Sequence, residues 1–251
     1  MKKLILGLFM TVLPALSLAA APGVPLDTME ADHTNKASLQ RGAATFMNYC
    51  AGCHSMEYAR YKRVSDDLEI PAELFEENLI FTGAKIGELM EIGMDKDQAA
   101  SWFGNAPPDL TLVSRVRGED WLYSYFRAFY KDDSRPLGVN NAVFDNVGMP
   151  HVMVEQQGLC AVPPKIGTNP SVDPLSGNVR GTDICDDWAI EGSMEPGEFN
   201  QAMYDLTNFL SYMGDPVKVE RERLGILVLI FVAVFFIFAY LLNREYWKDV
   251  H

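Results

Sequence analysis

The sequence predicts a mainly α-helical domain followed by a single membrane-spanning helix, and three observations lead to this fold class. Residues 35–49 and 198–213 carry apolar side chains every three or four positions, which is the period of an amphipathic helix. Residues 224–242 contain no charged side chain. No segment shows the alternation of a convincing β-strand, so helices should supply most of the core.

The N-terminus has the three-part pattern of an export signal. Lys2 and Lys3 precede an apolar run over residues 4–18, and alanines at 19–21 offer small residues for cleavage. An uncleaved anchor is the alternative, although the run is short and ends in alanines. We therefore expect a cleaved signal at 1–21 and a mature domain that begins at residue 22.

The first helix of the mature chain should span residues 35–49. Its apolar stripe has spacings of four, three and four residues and consists of Leu39, Ala43, Phe46 and Cys50. Beyond it, residues 66–77 are acidic and interrupted by Pro71, which predicts surface loops with short helical pieces.

The second half of the domain should contain two further helices separated by a long irregular stretch. Residues 118–130 predict a core helix that begins near two acidic residues and contains six aromatic side chains: Trp121, Tyr123, Tyr125, Phe126, Phe129 and Tyr130. Residues 137–183 are rich in Gly, Pro, Asn and Ser and have no sustained period, so they either wrap a site or form an insertion. Helix 198–213 then leads into the C-terminal anchor.

The anchor follows from length and polarity. At about 1.5 Å per residue, the uncharged residues 224–242 extend roughly 28 Å, close to the thickness of a bilayer core. We expect a transmembrane helix at 221–243, a periplasmic domain at 22–220 and a cytoplasmic tail at 244–251, because the export signal sets the orientation. These expectations describe a single-pass protein of the bacterial inner (cell) membrane, in contact with membrane lipid.

The charge balance excludes one class of partner. The chain has 21 Lys and Arg against 34 Asp and Glu, a formal net charge of -13. Nucleic acid needs positive charge for phosphate neutralisation, so we expect no nucleic-acid partner. A basic protein partner suits this charge better.

Cys50, Cys53 and His54 form the most informative motif, Cys50-Ala51-Gly52-Cys53-His54. Two thiols at this spacing can add to the two vinyl groups of one haem, and the following imidazole can bind its iron. A redox dithiol would leave the histidine unexplained, and a zinc site would need a second ligand pair at compatible spacing. The motif predicts one covalent haem c.

The remaining cysteines, Cys160 and Cys185, lie in the loop-rich part of an exported domain. Oxidising conditions favour a disulfide between them. Two buried free thiols are the alternative.

The second axial position of the iron stays open at the level of residues. Met149 lies in a Gly-Met-Pro loop of a kind that suits a ligand, and His151 is the rival imidazole. An open iron would permit gas binding or peroxide chemistry, whereas a second strong ligand favours electron transfer.

After the haem motif come Pro107-Pro108-Asp109-Leu110-Thr111, then residues 115–120 with two arginines, then Gly148-Met149-Pro150 and a C-terminal anchor. In this order the motifs resemble those of the cytochrome c1 family of the quinol–cytochrome c reductase (bc1) complex. The resemblance covers nearly the whole mature chain and implies a class I-like c-type cytochrome domain with long inserted loops.

The resemblance also implies a set of site residues and partners. The haem contacts would be thioether bonds from Cys50 and Cys53, axial ligands His54 and Met149, a haem wall of Pro107 and Pro108, and a propionate contact from Arg117. The chain would take electrons from a Rieske iron–sulphur protein beside cytochrome b and pass them to a soluble or membrane-bound c-type cytochrome. It would have no substrate-transforming site of its own. The alternatives are a terminal-oxidase cytochrome subunit and a haem sensor or peroxidase.

Overall fold

The structure is a computed structural model that describes residues 24–167 and 184–248. The export signal expected at 1–21 lies outside the described residues, as do residues 249–251 of the expected tail. The described parts contain nine helices and six short strands. The predicted mainly α fold is confirmed.

The helices lie at α1 (Lys36–Tyr49), α2 (Tyr61–Asp67), α3 (Ala72–Leu79), α4 (Lys96–Phe103), α5 (Val113–Arg117), α6 (Glu119–Phe126), α7 (Val154–Gln157), α8 (Pro196–Gly214) and α9 (Lys218–Tyr246). The strands lie at β1 (Met56–Arg60), β2 (Leu89–Met90), β3 (Phe129–Lys131), β4 (Val139–Asn141), β5 (Gly158–Cys160) and β6 (Trp188–Glu191).

Helices α1 and α8 form the central packing pair of the domain. The Asn35 side chain caps α1 by accepting a hydrogen bond from the Ser38 amide at 3.1 Å. Gly42 permits the close approach, because a Cβ atom there would lie 2.0 Å from the Asp205 carbonyl oxygen. The Arg41 guanidinium adds an ion pair to the Asp205 carboxylate at 2.6 Å. The helices predicted at 35–49 and 198–213 are therefore confirmed to within two residues.

Helices α5 and α6 also pack against α8, but the helix predicted at 118–130 is too long. It ends at Phe126, and β3 begins at Phe129. The last residues pair instead with β4, where Phe129 lies opposite Asn141 and the Asn141 side chain donates to the Tyr125 carbonyl at 2.8 Å. The hydrogen bonds between β3 and β4, together with the Asn141 side chain, satisfy the backbone groups that another helical turn would have satisfied.

The described residues contain short strands that no convincing pattern in the sequence indicates. Strands β1 and β2 form an antiparallel pair, and a second sheet has the order β4-β3-β5-β6, with β3 and β5 parallel. The strands contain two to five residues, which is too short for an alternating pattern to stand out.

The stretch predicted as irregular has short elements in its described part, residues 137–167. Strand β4, helix α7 and strand β5 lie there. A disulfide joins Cys160 to Cys185 with the Cα atoms 5.4 Å apart, so the predicted bond is confirmed. It links β5 to the segment that enters β6.

The N-terminal strap, residues 24–34, crosses the core and is fixed by a buried ion pair. The Arg127 guanidinium lies 2.5 Å from the Asp27 carboxylate, and both side chains are 1% exposed. The same guanidinium lies 4.1 Å from the centre of the Tyr123 ring. Removal of either charge would leave the other uncompensated in the core.

Helix α9 begins four residues after α8 ends, and none of its described side chains is buried. Among the described residues it is the one helix that is long and apolar enough to cross a membrane. The Arg221 guanidinium contacts the Asp215 carboxylate at 2.5 Å and ties the helix start to the linker.

Candidate haem site

The two motif cysteines lie in a tight turn at the end of α1. Cys50 is the C-cap of the helix, and its carbonyl accepts the amides of Cys53 at 3.0 Å and His54 at 2.9 Å. Both cysteines are free thiols. Burial raises the pKa of the Cys50 thiol to about 12, which disfavours the thiolate that a redox dithiol requires.

The His54 ring is held in one orientation by the segment that contains Pro108. Its Nδ1 atom lies 2.7 Å from the Pro108 carbonyl oxygen, and because a carbonyl only accepts, Nδ1 carries the proton. Nε2 is then the unprotonated nitrogen, as a metal ligand requires. Burial lowers the pKa of His54 and favours the same neutral imidazole.

The Pro107-Pro108 segment is itself anchored by the residue that follows it. The Asp109 carboxylate accepts the amides of Glu57 at 2.6 Å and Thr111 at 2.9 Å. A cavity of about 190 Å³ opens beside Cys53 and Pro107. The carbonyl that orients His54 therefore belongs to a fixed loop.

Met149 is placed by an aromatic side chain of α6. The Tyr125 hydroxyl donates to the Met149 sulphur at 3.3 Å. Tyr125 also stacks on Trp121, with ring centres 4.8 Å apart and planes 10° from parallel. Since a thioether sulphur has two lone pairs, one stays available for a metal while the other accepts this bond.

Arg117 continues the row of side chains that Tyr125 and Trp121 form. Its guanidinium lies 4.8 Å from the centre of the Trp121 ring and 5.5 Å from that of Phe144. Within residues 24–167 and 184–248 no carboxylate makes an ion pair with Arg117. An exposed guanidinium in this position can neutralise a carboxylate of a ligand.

His151 occupies a different environment from Met149. Its ring stacks on Phe129 with the centres 4.7 Å apart, and Nε2 donates to the Gly158 carbonyl at 3.0 Å. Burial lowers the pKa of His151 to about 4, so the imidazole is neutral at physiological pH. These contacts make His151 a core residue.

The expected site residues thus form two groups. The backbone joins Cys50, Cys53 and His54, and Pro108 orients the histidine; Trp121 and Tyr125 join Arg117 to Met149. Sequence reasoning took the aromatics as core filler. Their signal was the spacing of four residues between Trp121 and Tyr125, which puts both rings on one face of α6, four residues after Arg117 at the end of α5.

The donor set fits a c-type haem and no structural zinc site. Two free thiols, an imidazole with a fixed tautomer and a thioether match covalent attachment with two axial ligands. In the parts of the chain that the structure describes, no three His, Cys, Asp or Glu side chains cluster as a metal site would require.

Comparison with known proteins now decides the family, because the sequence profile of the cytochrome C1 family matches residues 28–80 and 92–250. The chain belongs to the cytochrome c1 family. Cytochrome c1 of Allochromatium vinosum is 46% identical over 251 residues and covers 100% of both chains.

More distant relatives extend the comparison. The "ammonia monooxygenase gamma subunit" of Nitrosomonas europaea is 38% identical and covers 99% of this chain and 100% of its own. The mitochondrial cytochrome c1 haem protein of Saccharomyces cerevisiae is 24% identical and covers 90% of this chain and 70% of its own.

Membership of the cytochrome c1 family confirms the covalent haem c, and it makes the chain an electron-transfer subunit of a membrane-anchored bc1 complex. Such a complex also contains cytochrome b and a Rieske protein. The apolar helix α9 fits a single membrane anchor.

Proposed function

We propose that this cytochrome c1 binds one haem through Cys50 and Cys53 and that His54 and Met149 are its axial ligands. The observation that carries this assignment is the 2.7 Å contact between His54 Nδ1 and the Pro108 carbonyl. It fixes the tautomer in which Nε2 is unprotonated, on the residue next to two free thiols.

When bound, the haem supplies a one-electron couple, and the protein supplies position and electrostatics. Pro107 and Pro108 line one side and hold the orienting carbonyl in place. Arg117 neutralises a propionate with its parallel N–H donors. The thioether of Met149 favours the reduced state and so raises the potential.

Attachment has a direct test on the mature polypeptide made in a host that assembles c-type cytochromes. We expect the denatured chain to keep its haem and to have the mass of the cleaved chain plus one haem. The Cys50→Ser and Cys53→Ser variants should each lose one thioether bond, whereas Cys160→Ser should keep both. Release of the haem into acidified acetone would contradict the assignment.

We further propose the topology expected from the sequence. Residues 1–21 are cleaved, residues 22–220 form the periplasmic domain, residues 221–243 span the bacterial inner membrane and residues 244–251 lie in the cytoplasm. Protease added outside spheroplasts should digest the haem domain and spare an epitope placed after His251. Digestion of that epitope would show that the C-terminus is outside and that the proposed topology is wrong.

Electrons pass, in this proposal, from the Rieske protein to the haem and then to a basic c-type cytochrome. Residues 22–220 contain 15 Lys and Arg against 31 Asp and Glu. A field of this sign attracts a basic partner over a distance that shrinks from about 30 Å at 0.01 M to about 10 Å at 0.1 M salt.

Residues 66–77 concentrate six carboxylates and are our candidate docking surface for that partner, but two of these charges are already paired within the protein. Asp66 and Asp67 form ion pairs with Lys62 and Arg63 one helical turn earlier. The remaining carboxylates, Glu69, Glu73, Glu76 and Glu77, are exposed; the last three lie on α3, where Glu76 also accepts the Ile86 amide at 2.8 Å. We therefore assign docking to α3 and not to the end of α2.

A further inference from the structure

A second cavity, of about 240 Å³, lies at the base of the domain where α8 leads into α9. It shares no residue with the candidate haem site. Its polar lining comes from the N-terminal strap, four helices (α5, α6, α8 and α9) and the α8–α9 linker, and it includes His33, Arg115, Glu119, Ser211, Asp215 and Lys218.

One side of this cavity ends in an unsatisfied acceptor. Ser211 donates its hydroxyl proton to the Glu119 carboxylate at 2.5 Å, so its oxygen accepts from His33 Nε2–H at 2.8 Å. His33 Nδ1 is then unprotonated, buried and without a hydrogen-bond partner in the described residues. The side chain is only 8% exposed. This unsatisfied acceptor therefore belongs to a residue that lines the cavity.

The other side of the cavity carries cations. Arg115 lies 3.8 Å from the Asp215 carboxylate, but that carboxylate has a closer partner in Arg221 at 2.5 Å. Lys218 makes no ion pair with a carboxylate of residues 24–167 or 184–248. Guanidinium and ammonium groups with free donors are suited to a phosphate.

The charges of the lining select a zwitterion. Two cations, Arg115 and Lys218, face two carboxylates, Glu119 and Asp215. A simple anion would be repelled by the carboxylates, and a simple cation by the basic side chains. A ligand with a phosphate and a primary ammonium satisfies both ends.

The position of the cavity indicates where such a ligand comes from. Lys218 is the first residue of α9, and the uncharged segment begins at Leu224, which is about 9 Å further along the helix. The headgroup layer of a bilayer leaflet is roughly 5–8 Å thick. Lys218 therefore lies at the outer edge of that layer, and the cavity beside it is within reach of a lipid headgroup.

We infer that this cavity binds the headgroup of phosphatidylethanolamine. Arg115 and Lys218 hold the phosphate, while Glu119 accepts a hydrogen bond from the ammonium. Phosphatidylcholine has the same charges but no N–H donor, and phosphatidylglycerol has no ammonium. The inference rests on the proposed topology and names the lipid that the anchor meets.

The test uses the full-length haem protein in detergent micelles. Palmitoyl-oleoyl phosphatidylethanolamine, phosphatidylcholine or phosphatidylglycerol is added, and the bound lipid is counted by native mass spectrometry. We expect phosphatidylethanolamine to bind about tenfold more tightly than either of the others, the difference that one charge-assisted hydrogen bond produces.

Three variants separate the two ends of the site. Glu119→Gln keeps an acceptor for Ser211 and should abolish the preference for ethanolamine over choline. Lys218→Gln, at the start of α9, should weaken the binding of both phosphatidylethanolamine and phosphatidylcholine. Glu222→Gln changes one exposed charge on α9 that does not line the cavity, and it should bind lipid like the parent.

Equal binding of the three lipids by the parent, or an undiminished preference in Glu119→Gln, would refute the inference. The haem spectrum and resistance to carbonate extraction are measured on the same samples. Loss of either would count against the proposed function, whereas a haem-bearing, membrane-integral chain without lipid preference refutes the lipid site alone.

Discussion

The Tyr125 hydroxyl lies 3.3 Å from the Met149 sulphur and donates a hydrogen bond to it. Such a bond withdraws electron density from the thioether, which makes the sulphur a poorer donor to an oxidised metal. Tyr125 thereby positions the proposed ligand, and we expect its hydroxyl to raise the reduction potential.

Tyr125→Phe should lower the midpoint potential, because a sulphur freed of its hydrogen bond donates more strongly to oxidised iron. The haem should stay low-spin, since Met149 remains. Potentiometric titration measures the shift, and Tyr58→Phe, which changes an exposed ring on β1, is the control. Equal potentials in parent and variant would remove Tyr125 from this role.

Met149→Leu should produce a high-spin haem that binds carbon monoxide and has a substantially lower potential, since the thioether that favours the reduced state is gone. Met149→His should remain low-spin and also fall in potential. Optical spectroscopy follows both changes. Met153→Leu, a buried neighbour, should keep the parental spectrum; if it alone loses the low-spin spectrum, Met153 is the ligand.

Asp27→Asn should destabilise the domain by about 3 kcal/mol, because it leaves Arg127 buried without a counter-charge. Asp186→Asn breaks an exposed ion pair with Lys165 and should cost less than about 1 kcal/mol. Urea unfolding followed by circular dichroism compares the two. Similar losses of unfolding free energy in the two variants would mean that the stability of the strap does not depend on its ion pair.

The Cys160→Ala, Cys185→Ala double variant should lose roughly 3 kcal/mol of unfolding free energy, as the chain-entropy description of a closed loop predicts. The disulfide spans 25 residues. Calorimetry of the oxidised parent and the double variant measures the difference. Alkylation of both thiols in the unreduced, denatured parent would exclude the bond.

The Glu73→Gln, Glu77→Gln double variant should slow association with a basic soluble cytochrome at low salt and leave the haem spectrum unchanged. Asp187→Asn with Glu191→Gln removes the same charge from exposed positions near β6 and is the matched control. Stopped-flow electron transfer between 0.01 and 0.1 M salt gives the rates. Equal slowing by both pairs would indicate net charge and not a docking surface.

Local periodicity accounts for what the sequence could predict of the fold. Helices α1 and α8 have apolar stripes long enough to be recognised, and both lie within two residues of expectation. The strands could not be foreseen, because β3 exists through its pairing with β4 and β5, and β5 is about 30 residues away along the chain. Pairing partners at that separation leave no local pattern.

The candidate site, too, could be predicted only in part from the sequence. The attachment motif could be read directly, because its residues are contiguous. The resemblance singled out Pro108, but the hydrogen bond that orients His54 joins residues 54 positions apart and appears only in the fold. The link between Tyr125 and Met149 likewise depends on how α6 packs against the loop.

The packing of α1 against α8 determines when the domain can complete its folding. Arg41 and Asp205 are 164 residues apart, so their contact forms only after nearly the whole domain has been made. Cys50, at the end of α1, is 7% exposed in the finished fold. In a chain that has not yet folded, this thiol should be more accessible to an incoming cofactor. Haem attachment at Cys50 should therefore be easiest before this long loop closes. A variant that folded faster should more often bury Cys50 before the haem is attached.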